Sequence, residues 1–197
     1  MSTRKCWSCG HEHAAAEPIC PACGKVQPPV ASGEQLDRFA VLGLKPSFDE
    51  PPGLDEKFRA LSRKLHPDRF ARATPQERRY SLEQTTLLNE AYKTLRDPVR
   101  RAEHLLALRG IQGDPKMSPE FLEQTLEDRE KLMEAKLAGE PLDALAAGVR
   151  EKRDRTLRDV RALVENGGAL AQAAELLARM RYYARYLDEV EGRSAEL

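Results

Sequence analysis

The stretch Phe58-Arg-Ala-Leu-Ser-Arg-Lys-Leu-His-Pro-Asp-Arg-Phe70 decides how this chain is read. Phe58, Leu61 and Leu65 recur at intervals of three and four, which puts them on one face of a helix and marks that face as core. Lys57, Arg59, Arg63 and Lys64 add positive charge to the same helix, and basic residues near a helix C-terminus oppose the negative end of its dipole. Pro67 disfavours the α conformation at the residue before it, so the helix stops at about Leu65 and His66-Pro67-Asp68 forms a turn. The next helix starts near Thr74-Pro75, a side-chain cap followed by proline at the first helical position.

Outward from this turn the pattern stays helical. Breakers bracket helices at about residues 36–42, 54–65, 75–96 and 99–109, and then at 119–137, 141–165 and 169–191. Gly43, Pro67, Gly110, Gly139 and Asn166-Gly-Gly168 interrupt them. Gly110–Ser118, with two glycines and Pro115, reads as a hinge between two helical units. The fold class expected is all-α, with an antiparallel helical pair carrying the His-Pro-Asp loop followed by a C-terminal three-helix bundle. Short connections imply antiparallel packing. The domain boundaries expected are 1–26, a linker at 27–35, 36–110 and 118–191.

The N-terminal segment holds all four cysteines, as Cys6-Trp-Ser-Cys9-Gly and Cys20-Pro-Ala-Cys23-Gly. Two residues between paired thiolates let both sulfurs converge on one ion, and the following glycine permits the tight turn. Two such knuckles complete a tetrahedral sulfur site, so Cys6, Cys9, Cys20 and Cys23 are the metal ligands expected, with Zn2+ favoured and iron possible. All four positions are filled, which makes the site structural rather than catalytic. His11 and His13, between the knuckles, are expected to be solvent-facing, and Trp7 to form a small local core over the site.

Lys plus Arg and Asp plus Glu each number 32, for a formal net charge of zero. Phosphate recognition ordinarily brings a basic excess, so the balance argues against a nucleic-acid partner. No apolar run approaches the length of a membrane span, and the N-terminus has no apolar run after its basic residues. These features point to a cytoplasmic protein without a membrane partner. A metal-dependent enzyme would need an open coordination position and a nearby base, and neither is visible.

Set between these two helices, His66-Pro67-Asp68 resembles the loop of the J-domain family, over about Leu36–Gly110. The resemblance implies that His66, Pro67 and Asp68, with Lys57, Arg59, Arg63 and Lys64, dock onto a DnaK/HscA-class ATPase chaperone and stimulate its hydrolysis. J-domain proteins do not hydrolyse nucleotide themselves, so His66 is not a catalytic base. Asn89–Gly110, and Phe121-Leu-Glu-Gln-Thr-Leu-Glu-Asp-Arg-Glu-Lys-Leu132, further resemble the HscB family of iron–sulfur co-chaperones, extending the likeness to residues 36–190. The cysteine pattern resembles that of the mitochondrial members.

On the helix from Pro119, Glu123, Glu127, Glu130 and Glu134 form an acidic stripe. Leu122, Leu126, Met133 and Leu137 line up beside it, with Phe121 and Leu132 further round. The apolar arc spans roughly 160°, wider than a surface helix usually buries, so an edge with Leu122 and Leu126 is expected to stay exposed. The family resemblance implies that Leu122, Leu126, Glu127, Glu130 and Tyr182 contact an IscU-type iron–sulfur scaffold. Glu123 and Tyr182 stand where Met and Phe are common in the family, which makes this face more polar. Two alternatives are a J-domain protein serving a different client and a zinc-finger nucleic-acid binder.

Overall fold

The computed structural model describes residues 3–30, 36–111, 117–165 and 170–192. The Asn166–Gly168 break, most of the Gly110–Ser118 hinge and positions 31–35 of the linker lie outside the described residues. The chain divides into two compact units, Met1–Leu108 and Arg109–Leu197. The architecture is mostly helical, with one small two-stranded sheet among the described residues.

In the first unit, β1 (Thr3–Lys5) pairs antiparallel with β2 (Glu12–Ala14), with Arg4 opposite His13. This hairpin has no counterpart in the sequence reading, because three-residue strands are too short to show a period. The two cysteine knuckles have matching backbones. Gly10 N–H donates to the Cys6 carbonyl at 3.0 Å, and Gly24 N–H to the Cys20 carbonyl at 2.9 Å. Both glycines are left-handed, φ 72° and 71°, a conformation that Cβ-bearing residues resist.

Helix α1 (Arg38–Val41) is capped by Asp37, whose carboxylate accepts from the N–H groups of Phe39 and Ala40. Helix α2 (Leu54–Leu65) ends at His66, and Pro67–Phe70 form one 3-10 turn. Helix α3 (Pro75–Arg96) opens with a capping box in which Thr74 and Glu77 satisfy each other's backbone donors. Helix α4 (Pro98–Leu108) follows, with Val99 and Arg100 donating to the Asp97 carboxylate.

Phe39, Leu42, Leu54, Leu65, Leu88, Ala91, Leu95 and Leu105 make the core of this unit. Phe58 and Leu61 pack against it, as their spacing predicts, and Phe58 stacks on Tyr92 with ring centroids 4.0 Å apart. Val26 belongs to the same cluster and is fully buried. The end of the cysteine module is therefore part of this unit's core.

The second unit holds α5 (Pro119–Ala138), α6 (Asp143–Glu165) and α7 (Leu170–Val190). Ser118 caps α5 by accepting the Phe121 N–H, and left-handed Gly139 ends it. Phe121, Leu132, Val149, Val160, Leu177, Met180, Tyr183 and Leu187 are buried here. Phe121 meets Tyr182 and Tyr183 edge-on, and Lys136 pairs with Glu189 at 3.0 Å, so α5 and α7 run the same way. Lys152 of α6 reaches Asp128 of α5 at 3.0 Å. Each helix end thus falls within a few residues of its breaker.

Candidate functional site

The sulfur atoms of Cys6, Cys9, Cys20 and Cys23 lie within 4.8 Å of one another. Cys6 and Cys23 are 3.6 Å apart and Cys9 and Cys20 3.8 Å. A tetrahedron with zinc–sulfur bonds of ~2.3 Å has edges of about 3.8 Å, so the four thiolates fit a tetrahedral ion. Burial works against charge on Cys6. The backbone N–H groups of Cys9 and Ser8 and the Cys23 thiol outweigh it and bring the Cys6 thiol down to about 6. Cys6 and Cys20 are buried and Cys9 and Cys23 exposed, a centre open on one side.

Trp7 also reaches beyond the knuckle region. Its indole N–H donates to the Val26 carbonyl at 2.8 Å, and its ring meets Tyr80 of α3 edge-on at 5.9 Å. His13 corrects the sequence reading: it is buried, because the alternation of β2 turns it inward, with Nδ1 3.0 Å from the Ala14 carbonyl. His11 is exposed, as expected.

At the turn, the Asp68 side chain is 90% exposed and that of His66 54%. His66 Nδ1 accepts from the Asp68 N–H at 3.3 Å, a contact that closes the turn. Lys57, Arg59, Arg63 and Lys64 are all exposed on α2, and only Arg59 has an ion-pair partner on its own helix, Asp55 at 3.8 Å. The turn and the four basic side chains are therefore all accessible to solvent, with Arg63 and Lys64 in the last turn of α2 beside His66. What holds that end is a set of polar residues that the sequence reading passed over. Ser81 and Thr85 of α3 donate their hydroxyls to the Leu65 carbonyl at 2.6 and 3.1 Å. Their signal was available, since Ser81 and Gln84 interrupt the buried face that continues through Leu88, Ala91 and Leu95.

On α5, Phe121 and Leu132 face the core, whereas Leu122 (49%), Leu126 (65%), Met133 and Leu137 are exposed. Glu123, Glu127, Glu130 and Glu134 are exposed beside them. Glu127 has Lys131 at 3.8 Å. Tyr182 is half-buried, and its hydroxyl donates to the Thr125 carbonyl at 2.9 Å. Burial, aided by Asp128, pushes its phenol up to about 12, so it serves as a neutral donor. Leu122, Leu126 and Tyr182 thus belong to one helix pair, α5 and α7.

Comparison with known proteins follows the same division. A DnaJ domain model matches residues 37–104, and a model of the HSCB C-terminal oligomerisation domain matches 117–191. A co-chaperone protein HscB homolog of Ralstonia nicotianae is 37% identical over 165 residues, 80% of this chain and 92% of that protein. The mouse iron-sulfur cluster co-chaperone protein HscB is 31% identical over 195 residues, 95% of this chain and 81% of that one. The crystal structure of human co-chaperone protein HscB, 29% identical, superposes with a TM-score of 0.83, covering 98% of this chain and all of that one. Chaperone HscB from Vibrio cholerae, 32% identical, gives 0.73 over 80% of this chain and 96% of its own.

Proposed function

The chain belongs to the HscB co-chaperone family, and from that premise we propose that it delivers an IscU-type iron–sulfur scaffold protein to an HscA-class chaperone and triggers ATP hydrolysis there. Members of this family are co-chaperones in iron–sulfur cluster biogenesis, not enzymes, and a J domain implies an Hsp70-type chaperone as partner. In this reading His66, Pro67 and Asp68 engage the chaperone, and Lys57, Arg59, Arg63 and Lys64 complement an acidic surface on it. Leu122, Leu126, Glu127, Glu130 and Tyr182 receive the scaffold. The four cysteines hold one zinc ion.

The observation that carries the client assignment is the exposure of Leu122 and Leu126 beside a row of carboxylates. An apolar edge left in water next to like charges suits a partner with a hydrophobic patch and basic surroundings. Met133 and Leu137 continue that edge along α5.

A stimulated ATPase assay tests the proposal, with chaperone, scaffold and this protein mixed. Wild type should accelerate hydrolysis, and scaffold should add to the effect. Equal stimulation by Asp68→Asn would sink the chaperone assignment. Undiminished scaffold capture by Leu126→Ala would sink the client assignment and leave a J-domain protein with another client. Among the described residues no helix is long and apolar enough to cross a membrane.

A further inference from the structure

Gln27 is wholly buried, and every polar group of its side chain is engaged. Its amide nitrogen donates to the Cys6 sulfur at 3.3 Å and to the Lys25 carbonyl at 2.8 Å. Its amide oxygen accepts from the Trp7 N–H at 3.4 Å. Its backbone carbonyl accepts from the Gln84 side chain of α3 at 3.0 Å, in a buried contact. One residue therefore touches a metal ligand with its side chain and α3, the helix that follows the His-Pro-Asp turn, with its backbone.

Two further contacts run beside it. Lys25 Nζ, two residues after Cys23, lies 3.0 Å from Glu77, the buried N3 carboxylate of the α3 capping box. Trp7, between the first pair of cysteines, packs on Tyr80. Glu77, Tyr80, Ser81 and Gln84 share one face of the first turns of α3. Ser81 on that face holds the Leu65 carbonyl, one residue before the His-Pro-Asp turn.

We propose that Gln27 is a positioning residue that couples occupancy of the four-cysteine site to the order of α3 and of the turn it supports. The knuckle is short and buries little apolar surface of its own, so its fold depends on the ion. Without the ion the Cys6 sulfur has no fixed place, Gln27 loses its anchor, and the carbonyl that Gln84 needs is released. A buried amide left without its acceptor is costly, and that cost falls on α3. The coupling rests on the metal reading above and goes beyond it, because it gives the ion a consequence for the chaperone-facing surface.

The test is amide hydrogen exchange over residues 77–88 of the full chain, zinc-loaded and after chelation, with zinc per chain measured first. Chelation of wild type should speed exchange there by about tenfold or more, the weight of roughly one buried hydrogen bond. Gln27→Ala should still bind one zinc, and its difference between loaded and stripped forms should shrink to about twofold to threefold. Gln84→Ala, which leaves the knuckle untouched, should shrink it likewise and carries the test if Gln27→Ala does not fold. Loaded and stripped wild type exchanging alike, or Gln84→Ala keeping the full difference, would overturn the coupling while leaving a zinc site. Failure of wild type to hold one zinc would overturn the metal reading itself, and the coupling with it.

Discussion

Ser81 donates its hydroxyl to the Leu65 carbonyl at 2.6 Å, so a polar residue on the buried face of α3 holds the last residue of α2. Helix ends leave carbonyls without intrahelical donors, and Pro67 brings no N–H to satisfy one. Ser81, with Thr85 at 3.1 Å, fills that need from across the hairpin and fixes where the His-Pro-Asp turn begins.

Ser81→Ala removes a buried donor and is expected to cost about 1–2 kcal/mol of stability in the first unit. Thermal or urea unfolding reads the loss. Chaperone stimulation at a temperature where the variant is still folded should fall as well, because the turn is less fixed. Unchanged stimulation would mean that the turn needs no such support.

The basic face of α2 should act through long-range charge. Arg63→Glu with Lys64→Glu is expected to weaken chaperone stimulation by at least about tenfold at low salt while leaving the unfolding midpoint nearly unchanged, since both side chains are exposed. Raising the salt should narrow the gap between variant and wild type. A gap independent of salt would show that the face does not act by charge.

On α5 two leucines should behave oppositely. Leu132 is 1% exposed, so Leu132→Ala is expected to destabilise the second unit by about 2–5 kcal/mol. Leu126→Ala should change stability by no more than about 0.5 kcal/mol yet weaken scaffold binding by tenfold or more. Calorimetric unfolding alongside titration with the scaffold separates the two, and a Leu126 variant that binds normally contradicts the client face.

His104 makes the first unit sensitive to acid. Burial lowers its pKa, with Arg38 adding to the effect and Asp37 opposing it. Its Nε2 accepts the Arg38 N–H at 3.0 Å, which requires the neutral ring. Because the folded pKa lies below the unfolded value of about 6.5, the unfolded chain binds the proton more readily. Stability should be full above that value and decline as pH falls below it. Melting temperatures between pH 7.5 and 5.5 check the slope, and His104→Gln, which keeps an acceptor but no titration, should flatten it.

Much of this protein was legible along the chain, because its signals are local. Pro67, Thr74-Pro75, Gly110 and Gly139 mark helix ends by backbone sterics that act within a few residues. The two Cys-x-x-Cys-Gly knuckles declare their geometry by spacing alone. The buried and exposed sides of α5 could be separated by angle, which placed Leu132 inside and Leu126 outside.

The remaining features required elements distant in sequence to meet. The sequence alone reads residues 27–35 as a linker, but tertiary packing buries the first of them, Gln27, against α3, beside Val26 at the end of the cysteine module. It turns Trp7 onto Tyr80 and His13 inward. These contacts span up to 73 positions, from Trp7 to Tyr80, and a polar residue such as Gln27 gives no local sign of the acceptor or sulfur it will find. The sequence by itself thus determined the helices, the pairing of the cysteines into two knuckles and the turn. Only the tertiary structure decided that the cysteine module and the His-Pro-Asp hairpin share one core, since hydrogen bonds and burial between distant segments exist only once the chain has folded.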